Sequence, residues 1–229
     1  MALILNIDTS SALAHIVLNH DDHCVTSITN TDQRTHASFV QPAIKDIFSK
    51  SSFRLNDIDA VSVVAGPGSY TGLRVGMASA KGICYALNKP LILLDTLRLM
   101  AFAALNTPIY KGFDGHFCPM IDARRMEVFT ALFNKEMKEE LAPQAMILDT
   151  NSFDNYFKNT KVLFVGDGVE KFKKITNNTN AIFDNIPYNE NALAALSYRA
   201  FLSKNFASLA YSEPKYVKEF YSTFSDHTP

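Results

Sequence analysis

The chain has 229 residues, 47% of them hydrophobic, which suffices to bury a core and leaves room for one large domain or two lobes of about 100 residues each. With 22 basic and 23 acidic residues its formal charge is -1, so no global field draws in nucleic acid or an anionic membrane, and any RNA contact has to be local or shared. Three separated cysteines, Cys24, Cys84 and Cys118, read as reduced thiols; "MALILNID" lacks a signal-peptide pattern and no apolar run approaches the ~20 residues of a membrane span, so a cytoplasmic protein is expected.

In chain order, "LILNID" reads as a buried strand, followed by strands "SALAHIVLN" and "CVTSIT" with "HDDH" as the polar turn between them. From Thr35 to about Lys50, Val40, Ala43, Ile44, Ile47 and Phe48 fall at helical spacing, with Thr35 as N-cap and Pro42 expected to bend the helix or delay its start. "DAVSVVAG" fits a buried parallel strand, a helix from about Thr71 to Leu87 closes at "NKP", and "LILLD" is the next strand. Strand, strand, strand, helix, strand, helix, strand is the order of a ribonuclease-H-like half, with a mixed sheet and helices over it.

After a helix at 96–105, the loop "NTPIYKGFDGH" marks a change in texture. "FCPMIDA" and "MEVFTALFN" read as a strand pair joined at Asp122 to Arg125, "KVLFVGDG" as a strand ending in glycines, and "ALAALSYRAFLSK" as a helix. Two lobes are expected, 1–105 and a smaller 106–229. The second echoes the first in outline with fewer strands and without a repeat at the residue level.

The stretch "AGPGSYTGLRVGMASAKG" carries the chemistry-bearing question. A strand ending at Ala65, the loop "GPGSYTG" and a following helix aim backbone N–H groups at any anion above the turn, so Gly66, Gly68, Ser69, Thr71 and Gly72 form a candidate phosphate-facing loop. The spacing departs from both phosphate-loop templates: Leu73 and Arg74 stand where a Walker A loop needs Lys and Ser/Thr, and Gly68 to Gly72 is one residue too long for GxGxxG. Gly72, Gly76 and Ala80 recur every fourth residue beside Ser79 and Ile83, a narrow stripe suited either to this protein's own sheet or to a partner's helix.

Asp8, ending the first strand, either assists a metal-bound nucleotide or caps the first hairpin, and the cap is favoured. His20, Asp21, Asp22, His23 and Cys24 offer metal-ligand types, but side chains of a hairpin turn splay into water. No G-x-S-x-G elbow surrounds Ser69. Near the C-terminus Lys215 and Lys218 interleave with Tyr216, Phe220 and Tyr221, which suits RNA stacking or, as the favoured reading, a tail docked on its own domain.

Taken together, "LNIDTS", "THASFVQPAI", "AGPGSYTGLRVGMASAKGICYALNKPL", "IDARRMEVF", "VGDGVEKF" and "EPKYVKEF" resemble the successive landmarks of the TsaB (YeaZ) family over nearly the whole chain. The resemblance implies a two-lobed actin-like fold of the ASKHA superfamily, with mixed sheets and flanking helices. It also implies a role in forming N6-threonylcarbamoyladenosine at position 37 of tRNA, as the non-catalytic partner of the transferase TsaD, alongside the ATPase TsaE. TsaD has an H-x-x-x-H metal pair after the shared stretch; here those positions fall on Thr96 and Met100, poor ligands for a hard or borderline divalent ion.

No intrinsic cofactor is therefore expected, ATP/ADP and the divalent metal belonging to partner subunits. The family's partner face, used with TsaD or with a second copy, would fall on Val40, Ile44, Ile47, Leu73, Gly76, Ala80 and Ile83. The family's usual arginine is Lys218 here. The segment from about 212 to 229 is expected to pack back on the first lobe. The alternative function is an ASKHA-type ATPase or kinase using Asp8 and the glycine loop.

Overall fold

A computed structural model describes residues 1–158 and 160–218. Strand β1 (Leu3–Asp8) is buried along its whole length, Asn6 and Asp8 included, as a central strand covered on both faces is. It lies at the centre of a five-stranded sheet. β2 (Ala14–His20) pairs antiparallel with it through the register Ile7 to Ile16, and β3 (His23–Asn30) pairs antiparallel with β2 as a half-exposed edge. β4 (Ala60–Gly66) and β5 (Leu91–Asp95) add in parallel on the other side, so the order is β3-β2-β1-β4-β5.

Helix α1 (His36–Ser49) runs without interruption through the exposed Pro42, so the helix starts no later than expected. Thr35 precedes it, but its hydroxyl donates to the Asp32 carbonyl at 2.9 Å and makes no cap bond. Helix α2 (Tyr70–Leu87) is capped by Ser69, which accepts from the Gly72 N–H, and ends at Asn88 in the left-handed conformation (φ 52°). Val40, Ile44 and Ile47 of α1 and Met77 and Ala80 of α2 pack with Leu5, Ile7, Ile16, Val61 and Val63 into one core on this face of the sheet.

The second lobe has the same sheet. β6 (Gly115–Asp122), β7 (Glu127–Phe133) and β8 (Glu139–Ile147) form the antiparallel part, and β9 (Lys161–Val165) and β10 (Ala181–Asp184) the parallel part, in the order β10-β9-β6-β7-β8. The expectation of fewer strands in this lobe is thereby corrected. β8 was illegible because it is an edge carrying Glu139, Glu140 and Pro143, and β10 because it has four residues. Short helices α4 (Asp154–Phe157) and α5 (Val169–Lys173) cover one face, where Phe153, Phe164 and Phe172 pack with ring centroids 5.1–5.3 Å apart.

The shared topology also reveals a repeat that the residue patterns hid. β1 and β6 both end in Ile-Asp (Asp8, Asp122), and β4 and β9 both run into Gly-x-Gly, with Gly66 and Gly166 at φ 119° and 110°. This is a two-lobed, actin-like arrangement of ribonuclease-H-like halves.

Helix α3 (Thr96–Asn106) is buried on almost every side because both sheets use it. Leu99, Phe102 and Ala103 pack on the first sheet, and Leu97, Ala101 and Ala104 on Phe117, Phe133 and Leu163 of the second. Helix α6 (Glu190–Leu202) returns to the first lobe, with Leu193 in the same core as Ile4, Val17 and Ile92. The chain thus crosses back well before residue 212. Phe220 and Tyr221 lie outside the described residues.

Candidate functional site

The repeated strand ends face each other across a cleft of about 640 Å³ between the lobes. Ser10, Ser11, Gly68, Ser69, Tyr70 and Thr96 line it from the first lobe, and Asp122, Arg124, Gly166 and Asp167 from the second. The topology brings Gly68 and Ser69 of the glycine loop and Ser10 and Ser11 of the turn after Asp8 to one wall; Asp8, Gly66, Thr71 and Gly72 are not in its lining.

The glycines of that loop, however, serve the protein's own backbone. A Cβ on Gly68 would lie 2.1 Å from the Ser10 carbonyl oxygen, and one on Gly72 2.0 Å from that of Thr9. The Ser69 N–H donates to the Ser10 carbonyl at 2.7 Å, and the Thr9 hydroxyl to the Gly72 carbonyl at 2.6 Å. The absent side chains leave room for the β1–β2 turn, not for a phosphate. Thr71 is exposed on the first turn of α2, and Gly66 lies against the Lys215 carbonyl, 2.7 Å from where its Cβ would be.

Asp8 is fully buried and caps its own turn. Oδ1 accepts from the Ser10 N–H at 2.9 Å and the Ser10 hydroxyl at 2.7 Å, leaving Oδ2 without a hydrogen-bond partner. Tyr188 stands beside it, its hydroxyl 3.4 Å from Ser10 Oγ; burial, reinforced by the Asp8 charge, pushes that phenol well above its usual range. In the second lobe, Asp122 accepts from the Lys171 ammonium at 2.8 Å and the Arg124 N–H at 2.6 Å, and the bond from Lys171 holds its carboxyl below the usual range. Asp8 and Asp122 are thus each engaged by their own lobe.

Thr96 and Met100 lie one turn apart on α3, lining the cleft. A buried hydroxyl and a thioether do not fit a divalent metal. Among the described residues, no group of three or more His, Cys, Asp or Glu side chains is placed to hold a metal ion, the "HDDHC" turn included.

The expected partner face needs correction. Val40, Ile44, Ile47, Leu73 and Ala80 are at most 5% exposed, Gly76 is buried, and only Ile83 is half-buried. A Cβ on Gly76 would meet Thr9 Oγ1 at 2.5 Å, with Val63 and Ile7 behind it. The stripe with a period of four faces the first sheet, and close helix–sheet packing uses it up. Apart from Ile83, these residues are core.

A second small-residue stripe, two positions out of phase on the same helix, faces outward. Ala78, Gly82 and Ala86 are exposed, and with Gln41, Ser79, Ile83 and Leu87 they line a groove of about 250 Å³ between α1 and α2. Gln41 Nε2 donates to Ser79 Oγ at 3.0 Å across its floor. Among the described residues, no atom beyond its own helix backbone and chain neighbours lies within 4 Å of a Cβ built on Gly82. The sequence signal was present as Ala78-x-x-x-Gly82-x-x-x-Ala86, overshadowed by the glycine-richer inner stripe.

Residues 24–222 match the family model for TsaD, tRNA N6-adenosine threonylcarbamoyltransferase. Within that group the curated relatives are more specific. The tRNA threonylcarbamoyladenosine biosynthesis protein TsaB of Haemophilus influenzae is 26% identical over 224 residues, 94% of this chain and 93% of the relative. The chain belongs to the TsaB (YeaZ) family. TsaB of Bacillus subtilis (strain 168) is 27% identical over 175 residues, 75% of this chain and 74% of its own length. A crystal structure from Pseudomonas aeruginosa, described as an uncharacterized protein with similarity to peptidase YeaZ, superposes with a TM-score of 0.79 at 21% identity. It covers 95% of this chain and all of that one, and so supports the TsaB fold. Among the described residues no helix is long and apolar enough to cross a membrane.

Proposed function

We propose that this chain is the non-catalytic assembly subunit of tRNA threonylcarbamoyladenosine synthesis, binding the transferase TsaD through the outer faces of α1 and α2. It works in the cytoplasm, engages TsaE within the same assembly, and pairs with a second copy when TsaD is absent. ATP or ADP and the divalent metal belong to the partner subunits, and tRNA is met through the complex.

Gly82 carries the reading. An interior helix glycine costs about 0.5–1 kcal/mol relative to alanine, a cost normally offset by close packing, as at Gly76. Among the described residues, nothing beyond its own helix backbone and chain neighbours approaches a Cβ at Gly82 within 4 Å. The packing that offsets its cost then comes from outside the chain, and a groove of small side chains fits a helix laid into it.

The alternative, an ATPase or kinase using Asp8 and the glycine loop, has less support because Gly68 and Gly72 are filled by the β1–β2 turn and Asp8 caps that turn. Calorimetric titration with ATP and Mg²⁺ separates the two: micromolar binding with turnover that is lost on Asp8→Asn would favour the enzyme. Reconstituted modification tests the main reading. The complete set of subunits should form threonylcarbamoyladenosine, omission of this chain should abolish it, and this chain alone should form none. Undiminished product without this chain would overturn the proposal.

A further inference from the structure

Two landmarks of the sequence, "EPKYVKEF" and "IDARRMEVF", take no part in the partner face, yet they meet. After α6 the chain pairs Ala207 with Leu91 at the edge of β5. Lys81 Nζ then donates to the carbonyls of Ala210 and Ser212 at 3.3 and 2.9 Å, and the Lys215 N–H donates to the Ala65 carbonyl at 2.7 Å. Tyr216 accepts from Arg74 Nε at 3.0 Å with its ring 5.4 Å from that of Tyr70. All of these anchors are on the first lobe. Lys218 then reaches the second lobe, its ammonium 2.7 and 3.0 Å from the two carboxylate oxygens of Glu127, the first residue of β7.

We infer that residues 207–218 form a latch between the lobes, in which the Lys218–Glu127 pair holds the cleft at its present opening. Each end of the latch grips one wall of the cleft. Tyr216 and Arg74 pack on Tyr70, which lines the first-lobe wall; Glu127 closes the turn whose Asp122 and Arg124 line the opposite wall. Gly66 belongs to the same device, because only a residue without Cβ lets the Lys215 carbonyl seat on the end of β4. The lobes also share helix α3, through its apolar side chains and through Arg98, which donates to Glu139 at 2.6 Å and to the Met137 carbonyl at 2.8 Å; the latch is a second polar tie at the cleft, and its strength depends on charge.

The test is a distance measured across the cleft in the full chain. Spin labels at Gln33→Cys and Asn185→Cys, exposed positions on opposite walls, are introduced in a Cys24→Ser background, Cys84 and Cys118 being buried. The main distance should move to longer values and broaden in Lys218→Glu, stay unchanged in Lys218→Arg, and return to the original value when Lys218→Glu is combined with Glu127→Lys. Lys218 is 47% exposed and Glu127 18%, so melting curves verify that each variant, above all the charge exchange, keeps the parent's fold. An unchanged distance in Lys218→Glu overturns the latch, as does an opening that the charge exchange fails to reverse.

Discussion

One substitution made at two places on α2 should change stability in opposite directions. Gly72→Ala puts a methyl 2.0 Å from the Thr9 carbonyl oxygen and 3.1 Å from its carbon, both backbone atoms. Relief requires the β1–β2 turn to move away from the start of α2. Such overpacking costs about 1–3 kcal/mol, and the Thr9 hydroxyl bond to the Gly72 carbonyl, lost in the same movement, adds about 0.5–1.5 kcal/mol. A total of roughly 2–4 kcal/mol lowers Tm by about 4–8 °C, at about 2 °C per kcal/mol for a chain of this size. Gly82→Ala meets no described atom beyond its own helix backbone and chain neighbours within 4 Å and recovers helix propensity, so it should raise Tm by about 1–2 °C. Differential scanning calorimetry of the two variants beside the parent decides the matter. A Gly72→Ala protein as stable as the parent, or a Gly82→Ala protein as unstable as Gly72→Ala, would refute the assignment of the inner stripe to the core and the outer one to open surface.

The thiols should differ in reactivity. Burial pushes Cys118 up to about 12 and Cys84 up to about 11, whereas Cys24 is only half-buried. An aromatic disulfide reagent at pH 8 should titrate at most one thiol in the native chain and three in denaturant; two fast native thiols would contradict the packing. Asp122→Asn should probe the Lys171 pair by charge alone, since Asn still accepts from the Arg124 N–H. The folded carboxyl is held below its unfolded value, so the pair's contribution is present above about pH 4 and is lost as pH falls through the depressed value. Because Asp122 is 42% exposed, screening limits this contribution to about 1 kcal/mol or less. The gap in Tm between parent and variant should close in acid, and a gap that widens there would reverse the sign of the linkage.

The first lobe was largely legible because its strands are either mainly apolar, as in β1 and β4, or bounded by strong turn signals such as Asp21-Asp22 and Asn88-Lys89-Pro90. The second lobe was half legible. β8 is a charged edge containing Pro143, and β10 has four half-buried residues, so neither carries a period that sequence reasoning detects. The internal repeat rests on Ile-Asp and Gly-x-Gly, too few residues to stand out until the strand order aligned them. The partner face failed for a different reason. A helix of small residues has two faces, and periodicity locates both stripes without saying which meets the sheet; the orientation is fixed by Thr9, Ile7 and Val63, far away in sequence. Gly76→Arg, which suits a surface glycine, would therefore drive a guanidinium into β1 and test the fold rather than the partner contact.

The central claim is that the outer groove of α1 and α2 binds TsaD, and titration calorimetry of TsaD with the parent and with Gly82→Arg tests it most directly. Position 82 is exposed and its Cβ meets no described atom beyond its own helix backbone and chain neighbours, so the variant should keep the parent's Tm while its affinity for TsaD falls at least about 30-fold, on the order of 2 kcal/mol for a blocked interface centre. A folded Gly82→Arg protein that binds TsaD as tightly as the parent would contradict the account.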